Sequence, residues 1–266
     1  MWAIIGGSGF EKFDEFEVLE NLKIETPYGE HSSSFKKVKW KGKECLFLSR
    51  HGENHELCPS EINFKANVYA LKKMDAMGVL SFSAVGSLKE EFAPEDLVFI
   101  NQYIDATKNR DSSFCGGGRV GHFSFAHPVE KPLLDEVKHI CSDFSFRNHI
   151  GGTYVCVEGP RFSTFAESKM FQSWGANIIG MTNMPEAYLV REAGMIYLPF
   201  CFVTDYDCWK TDEEPVTLDI VKTRMANNYK SSKEVLNLFV PTELYKEHPV
   251  PSINQAMFAG DQIDWI

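Results

Sequence analysis

Residues 195–205 read MIYLPFCFVTD, an almost unbroken apolar run that stops abruptly in acid: Asp205, then Tyr206, then Asp207. A run this apolar, with its share of branched and aromatic side chains, predicts a buried β-strand rather than a helix face. Working outward, the same kind of run recurs at WAII (2–5), ECLFLS (44–49), VLSFSAV (79–85), DLVFINQYI (96–104), GTYVCVE (152–158) and NIIGMT (177–182). Between them lie segments of helical period. Residues 59–76 open on Pro59 and Ser60, residues 185–193 open on Pro185 and Glu186, and 217–239 sets Leu218, Val221, Met225, Tyr229, Leu236 and Phe239 on roughly one face. Alternating strands and helices predict an α/β fold with a twisted, largely buried central sheet flanked by helices and ligands at the strand ends.

Composition sets the outer bounds. With 266 residues, 44% hydrophobic and 24% charged, the chain reads as one globular domain over 1–266, its tail from 240 onward poorly assigned. A formal net charge of −10 speaks against a nucleic-acid partner, since phosphate backbones are bound by clustered Lys and Arg. MWAIIGGSGF carries neither a basic lead nor a long apolar run, which predicts no signal peptide, no membrane span and a cytoplasmic location. Seven scattered cysteines without a C-x-x-C pair predict free thiols rather than a disulfide frame or a zinc site.

Several strand ends could carry chemistry. GGSGF (6–10) offers backbone N–H groups and the Ser8 hydroxyl to an anion, or is simply a tight turn. It lacks the third glycine and helix start of a dinucleotide fingerprint. SRHGENH (49–55) places Arg50 and His51 just after a strand, where a fork of N–H donors suits an oxyanion; a surface cation pair is the plainer alternative. SAVGSL (83–88) and MTNMPE (181–186) again end strands in hydroxyls and small residues. Singly, each is turn chemistry; four such ends on one sheet, all donors, make a phosphate pocket the better reading. In EGPRFSTFAES (158–168), Phe162 fills core or stacks on a flat ligand. RDSSFCGGGRVG (110–121) reads as a mobile loop.

EGPRFS, MTxxPE and TDYDCW, in this order with GGSGF and SRHG, resemble the purine nucleoside phosphorylase superfamily, and their combination looks like its methylthioadenosine phosphorylase branch, the match running from residue 6 to near Val240. That resemblance implies a partly barrel-like nucleoside phosphorylase fold. It implies phosphorolysis of 5'-methylthioadenosine, with inorganic phosphate as co-substrate and no metal or other cofactor. Phosphate contacts carry over onto Ser8, Arg50, His51, Ser83, Ala84 and Thr182. Phe162 and Ser163 would meet the adenine. Met181, Leu218 and Val221 would lie by the ribose and its 5' group, with His122, in GHFSFAHP, reaching in from the neighbouring subunit of a homotrimer. Lys222 and Phe165 depart from the family pattern, and Lys222 bears on 5' selectivity.

The resemblance also gives the two acids their work. Cleaving an N-glycosidic bond leaves electrons on the purine, and a proton at N7 neutralises them as they arrive. Asp205, its pKa raised by burial, would supply that proton. Asp207, one pleat further and so on the same side, would accept a hydrogen bond from a 6-amino group and repel a 6-oxo group. Members that cleave inosine and guanosine differ at the positions of Asp205, Asp207 and Ser163. A 6-oxopurine nucleoside or methylthioinosine phosphorylase is therefore the nearest alternative, and a non-catalytic nucleoside-binding protein the next.

Overall fold

The computed structural model describes residues 1–118, 120–211 and 224–250, with the backbone course of the helix Leu218–Phe239 and of the short strand Met257–Ala259. The strand Ile196–Asp205 runs through the middle of the molecule, and all ten of its residues are buried. It lies parallel to Gly78–Ser87 from Ile196↔Gly78 onward, and on its other edge antiparallel to Leu97–Phe99. Strands covered on both faces have no polar face to show, which is why this run reads as continuously apolar.

Alternate side chains of Ile196–Asp205 enter two separate cores. Tyr197, Cys201 and Val203 join Ile5, Leu48, Val79 and the helices Phe64–Lys73 and Asn183–Glu192. Ile196, Leu198, Phe200 and Phe202 join Phe10, Phe47, Phe82 and Phe239, the last from the helix Leu218–Phe239. An aromatic seam holds this second core, with Phe10, Phe82 and Phe202 at centroid distances of 5.1 to 6.1 Å. Removing one such ring would cost about 3–5 kcal/mol.

Gly78–Ser87 is the junction of the sheet. Its first half pairs with Trp2–Gly6 on one edge, its last two residues pair on that edge with Ile178–Gly180, and Ile196–Asp205 takes the other edge. Beyond Trp2–Gly6 come Lys43–Ser49, Phe35–Trp40 and Glu17–Leu22; beyond Ile178–Gly180 come Thr153–Val157 and Gln102–Ala106. The third arm passes from Leu97–Phe99 to Asn148–Ile150. The result is, as expected, an α/β fold with one large sheet of mixed parallel and antiparallel pairs, and its described strands do not close into a barrel.

Differences from the sequence reading are local. The run 96–104 splits into Leu97–Phe99 and Gln102–Ala106, because Asn101 turns its side chain to the N–H of Gly152 (3.0 Å) and the chain passes from one arm to another. The expected helix 59–76 begins only at Phe64, where the Asn63 side chain accepts from the N–H of Ala66. Glu17–Leu22 and Phe35–Trp40 escape notice because their outward residues are charged, pairing across strands as Lys37–Glu44 (2.7 Å) and Lys39–Glu17 (3.8 Å). The helices Lys131–Cys141 and Leu244–Glu247 likewise lie outside the elements that the sequence predicts. Leu244 and Tyr245, at the start of the unassigned tail, are buried, Tyr245 against Trp2. All seven cysteines are free. Among the described residues no helix is long and apolar enough to cross a membrane.

Candidate active site

A cavity of about 1000 Å³ opens where the parallel strands end, and it collects nearly every strand-end motif of the sequence. Ser8, Arg50, His51, Ser83, Ala84 and Thr182 line one region; Phe162, Ser163, Met181, Asp205 and Asp207 line it too. Two glycines allow the close approach. A Cβ on Gly7 would lie 2.5 Å from Nη1 of Arg50, and Gly159, at φ +70, would press its Cβ to 2.6 Å from Sδ of Met181.

Arg50 is fully buried, not a surface cation. Its Nε and Nη2 donate to Glu186 at 2.7 and 2.8 Å, Nη2 also to Oγ of Ser81 at 2.6 Å, and Nη1 to the carbonyl of Phe82 at 3.0 Å. A guanidinium has five N–H donors, so these four bonds leave one, on Nη1, for a ligand. Tyr197 closes the network, its hydroxyl 2.7 Å from Glu186 and 2.8 Å from Ser81. Thr182 opens the helix Asn183–Glu192, and its hydroxyl makes no capping bond. The Ser83 hydroxyl is held by Asn183 at 3.0 Å.

His51 corrects the expected fork of N–H donors. Its Nδ1 is 2.9 Å from the carbonyl of Leu57, and burial, with the Arg50 charge beside it, pushes its pKa down to about 4. The ring is therefore neutral at ordinary pH, with one N–H already engaged. Its neighbour His55, stacked on it at 4.6 Å, is raised above its usual value by a hydrogen bond to Glu11. Glu11 holds Nδ1 of His55 at 2.8 Å and the N–H of Gly9 at 3.1 Å; burial pushes its carboxyl up, but these bonds win and keep it below the ordinary value.

At the other end, the register of Ile196–Asp205 slips. Val203 pairs with Val85 but Asp205 pairs with Gly86, so Thr204 is an extra residue and the strand bulges there. The strand stops at Asp205, and Asp207 sits in the following turn at φ +53. The two acids thus face one cavity through a bulge and a left-handed turn, not through the expected pleat. Thr204 donates to Oδ2 of Asp205 at 2.7 Å, and the N–H of Asp207 donates to Oδ1 at 2.8 Å. Burial raises the pKa of Asp205 against those two bonds, with the Asp207 charge pushing the same way as burial. Burial also raises the pKa of Asp207.

Phe162 is 55% exposed at the cavity rim, which removes the core-filling alternative. His122 is exposed and does not line this cavity in its own chain. Leu218, Val221 and Lys222 lie outside the described residues. The supposedly mobile loop at 110–121 is anchored at its start: Arg110 donates to the carbonyls of Met181 (2.7 Å), Met184 (2.6 Å) and Glu158 (2.8 Å), and Glu192 accepts from Ser113 and from the N–H of Phe114. Glu186, Ser81 and Tyr197 hold Arg50, Thr204 holds Asp205, and Arg110 ties the 110–121 loop to Met181; the sequence reading assigns none of them. Only Glu186 carried a signal, an acid in MTNMPE drawn into the start of a buried helix.

The phosphorylase superfamily model matches residues 2–240. The S-methyl-5'-thioadenosine phosphorylase of Thermosynechococcus vestitus is 43% identical over 237 residues, covering 88% of this chain and 82% of that protein. The enzyme of that name from Ciona intestinalis is 42% identical over 239 residues, 88% of this chain and 85% of its own. Among solved structures, methylthioadenosine phosphorylase from Schistosoma mansoni in complex with adenine aligns with a TM-score of 0.86 at 33% identity, over 93% of this chain and 92% of that one. A methylthioadenosine phosphorylase from an antarctic soil metagenomic library aligns with a TM-score of 0.85 at 38% identity, over 100% and 94%.

Proposed function

The chain belongs to the phosphorylase superfamily, and from that premise we propose that it is an S-methyl-5'-thioadenosine phosphorylase. It is a pentosyltransferase: an oxygen of inorganic phosphate bonds to C1' of the ribose as the C1'–N9 bond breaks, giving 5-methylthioribose 1-phosphate and adenine. The observation that carries this reading is a single cavity with a donor set built on Arg50 at one end and two buried acids of raised pKa at the other. Phosphate lies against Ser8, Arg50, His51, Ser83, Ala84 and Thr182. Adenine lies between the Phe162 face and the acids, with Ser163 alongside and Met181 by the ribose.

The electrons released from C1'–N9 collect on the purine, where Asp205 meets them with a proton at N7. A carboxyl whose pKa is raised by burial holds that proton more readily than an ordinary one. Asp207, buried at the same end of the cavity, accepts from the 6-amino group. The chain works as a homotrimer in which His122, exposed on its own chain, reaches the 5' end of a neighbouring cavity. Inorganic phosphate enters as co-substrate, and the enzyme acts in salvage of purine and methionine. Adenine release from methylthioadenosine, measured with and without phosphate, tests the reading: release must depend on phosphate, and equal release in its absence would indicate a hydrolase.

A further inference from the structure

His51 is bound on one side in a way that fixes which nitrogen carries its proton. Nδ1 lies 2.9 Å from the carbonyl oxygen of Leu57, while the N–H of Leu57 donates back to the carbonyl of His51, also at 2.9 Å. A carbonyl oxygen only accepts, so the hydrogen is on Nδ1 and the neutral ring has a bare lone pair on Nε2. The charged groups around the ring keep it neutral. Burial and the Arg50 guanidinium oppose a second proton, and His55, stacked at 4.6 Å and drawn towards its charged form by Glu11, adds positive rather than negative charge next to it. Glu11 itself works weakly the other way. No described residue hydrogen-bonds Nε2, and His51 lines the cavity beside Arg50.

An acceptor in the middle of a phosphate site is a peculiar choice unless the ligand brings a hydrogen. Inorganic phosphate does so, keeping at least one P–OH throughout the neutral range, whereas sulfate at the same pH has none. We propose that Nε2 of His51 accepts the hydroxyl hydrogen of bound phosphate, so that the site selects an oxyanion bearing a proton over a shape-matched one without. Resting on the functional reading above, this also orients the nucleophile. With the P–OH held at His51, the bare oxygens turn to the remaining N–H of Arg50, to the hydroxyls of Ser8 and Thr182, and to C1' of the ribose. Against sulfate, two lone pairs face each other in a buried site, and a buried polar group left unpaired is what makes hydrogen-bonding sites discriminate.

The test is calorimetric titration of the protein with phosphate and with sulfate at pH 7.5, in the wild type and in His51→Gln, whose amide can present an N–H to either anion. The wild type should bind phosphate at least about tenfold more tightly than sulfate. In His51→Gln the ratio should shrink to within about threefold, chiefly because sulfate tightens. Equal affinities in the wild type overturn the proposal without any variant, and so does an unchanged ratio in a folded His51→Gln protein. Binding does not require turnover, so the two readings separate. Phosphate that binds tightly with no adenine released defeats the phosphorylase reading and leaves the proton reading standing, while failure of phosphate to bind defeats both.

Discussion

The two ends of the cavity are built in opposite ways. At the base end, the bonds that set Asp205 come from its own neighbourhood: Thr204 one residue before it and the N–H of Asp207 two residues after. At the phosphate end, Arg50 is gripped by partners 31, 32 and 136 residues away, on the strand Gly78–Ser87 and the helix Asn183–Glu192. The two bonds that set Asp205 therefore form once its strand has paired with Gly78–Ser87 and bulged. The phosphate end exists only when four elements have assembled, and it is part of what holds them. Substitutions at the first should change chemistry without touching the fold; substitutions at the second should change both.

Asp205→Ala tests the first half of that statement with the largest effect. Losing the proton donor should lower kcat by about 10²–10⁴-fold, with a smaller change in KM, because the interaction is strongest in the transition state. Its stability should not fall. The folded pKa of Asp205 lies above its ordinary 3.8, so its contribution to stability is fully present below that value and is lost as pH rises through the folded one. At neutral pH the buried carboxyl is thus a cost, and its removal should leave the thermal midpoint unchanged or higher. A clear drop in the midpoint would show that the base end, too, supports the fold.

Glu186→Gln strikes the other end. It leaves the fully buried Arg50 guanidinium facing a neutral amide, and breaking a buried pair in this way costs about 3–5 kcal/mol. Urea unfolding should record that loss, and the KM for phosphate should rise as the guanidinium loses its fixed orientation. A variant of wild-type stability with only a raised KM would mean that the network positions Arg50 without holding the elements together.

What was legible in the sequence follows the same division. The run into Asp205 and Asp207 could be read directly, because a strand buried on both faces announces itself by its apolarity and its end by the first charge. Even there the way the two acids converge is not legible, since a bulge at Thr204 and a left-handed Asp207 leave no mark on composition. Arg50 could be seen but not its burial, because Glu186 and Ser81 become its neighbours only through the topology. Exposed edge strands such as Glu17–Leu22 hid behind their charges, and Arg110 hid in front of a glycine-rich run that suggested motion.

Asp207→Asn should have a middling effect, confined to the choice of base. A side-chain amide offers both a donor and an acceptor and can face a 6-amino or a 6-oxo group. The preference for methylthioadenosine over methylthioinosine, as a ratio of kcat/KM values, should fall by about tenfold or more. An unchanged ratio would mean that the base is read elsewhere, for example by Ser163.

The smallest effect should come from Thr204→Val, which probes the local support of the proton donor. The single hydroxyl hydrogen of Thr204 has two acceptors within reach, Oδ2 of Asp205 at 2.7 Å and the carbonyl of Val85 at 3.2 Å. When Asp205 is ionised the hydrogen belongs to the carboxylate. When Asp205 is protonated, the hydroxyl can turn to Val85 and leave its own oxygen to accept. Thr204 is thus able to follow either state of the acid, but its bond favours the ionised one and pulls the pKa of Asp205 down against burial. Valine keeps the branched shape the strand needs and deletes only this support. The pKa of Asp205 should then move further up, and the alkaline fall in kcat, where the donor loses its proton, should shift to higher pH. At neutral pH the change in kcat should stay below about tenfold, since the donor itself is intact. If the alkaline limb instead moves down or stays in place, the titrating group is not Asp205, and the proton reaching the purine comes from another source.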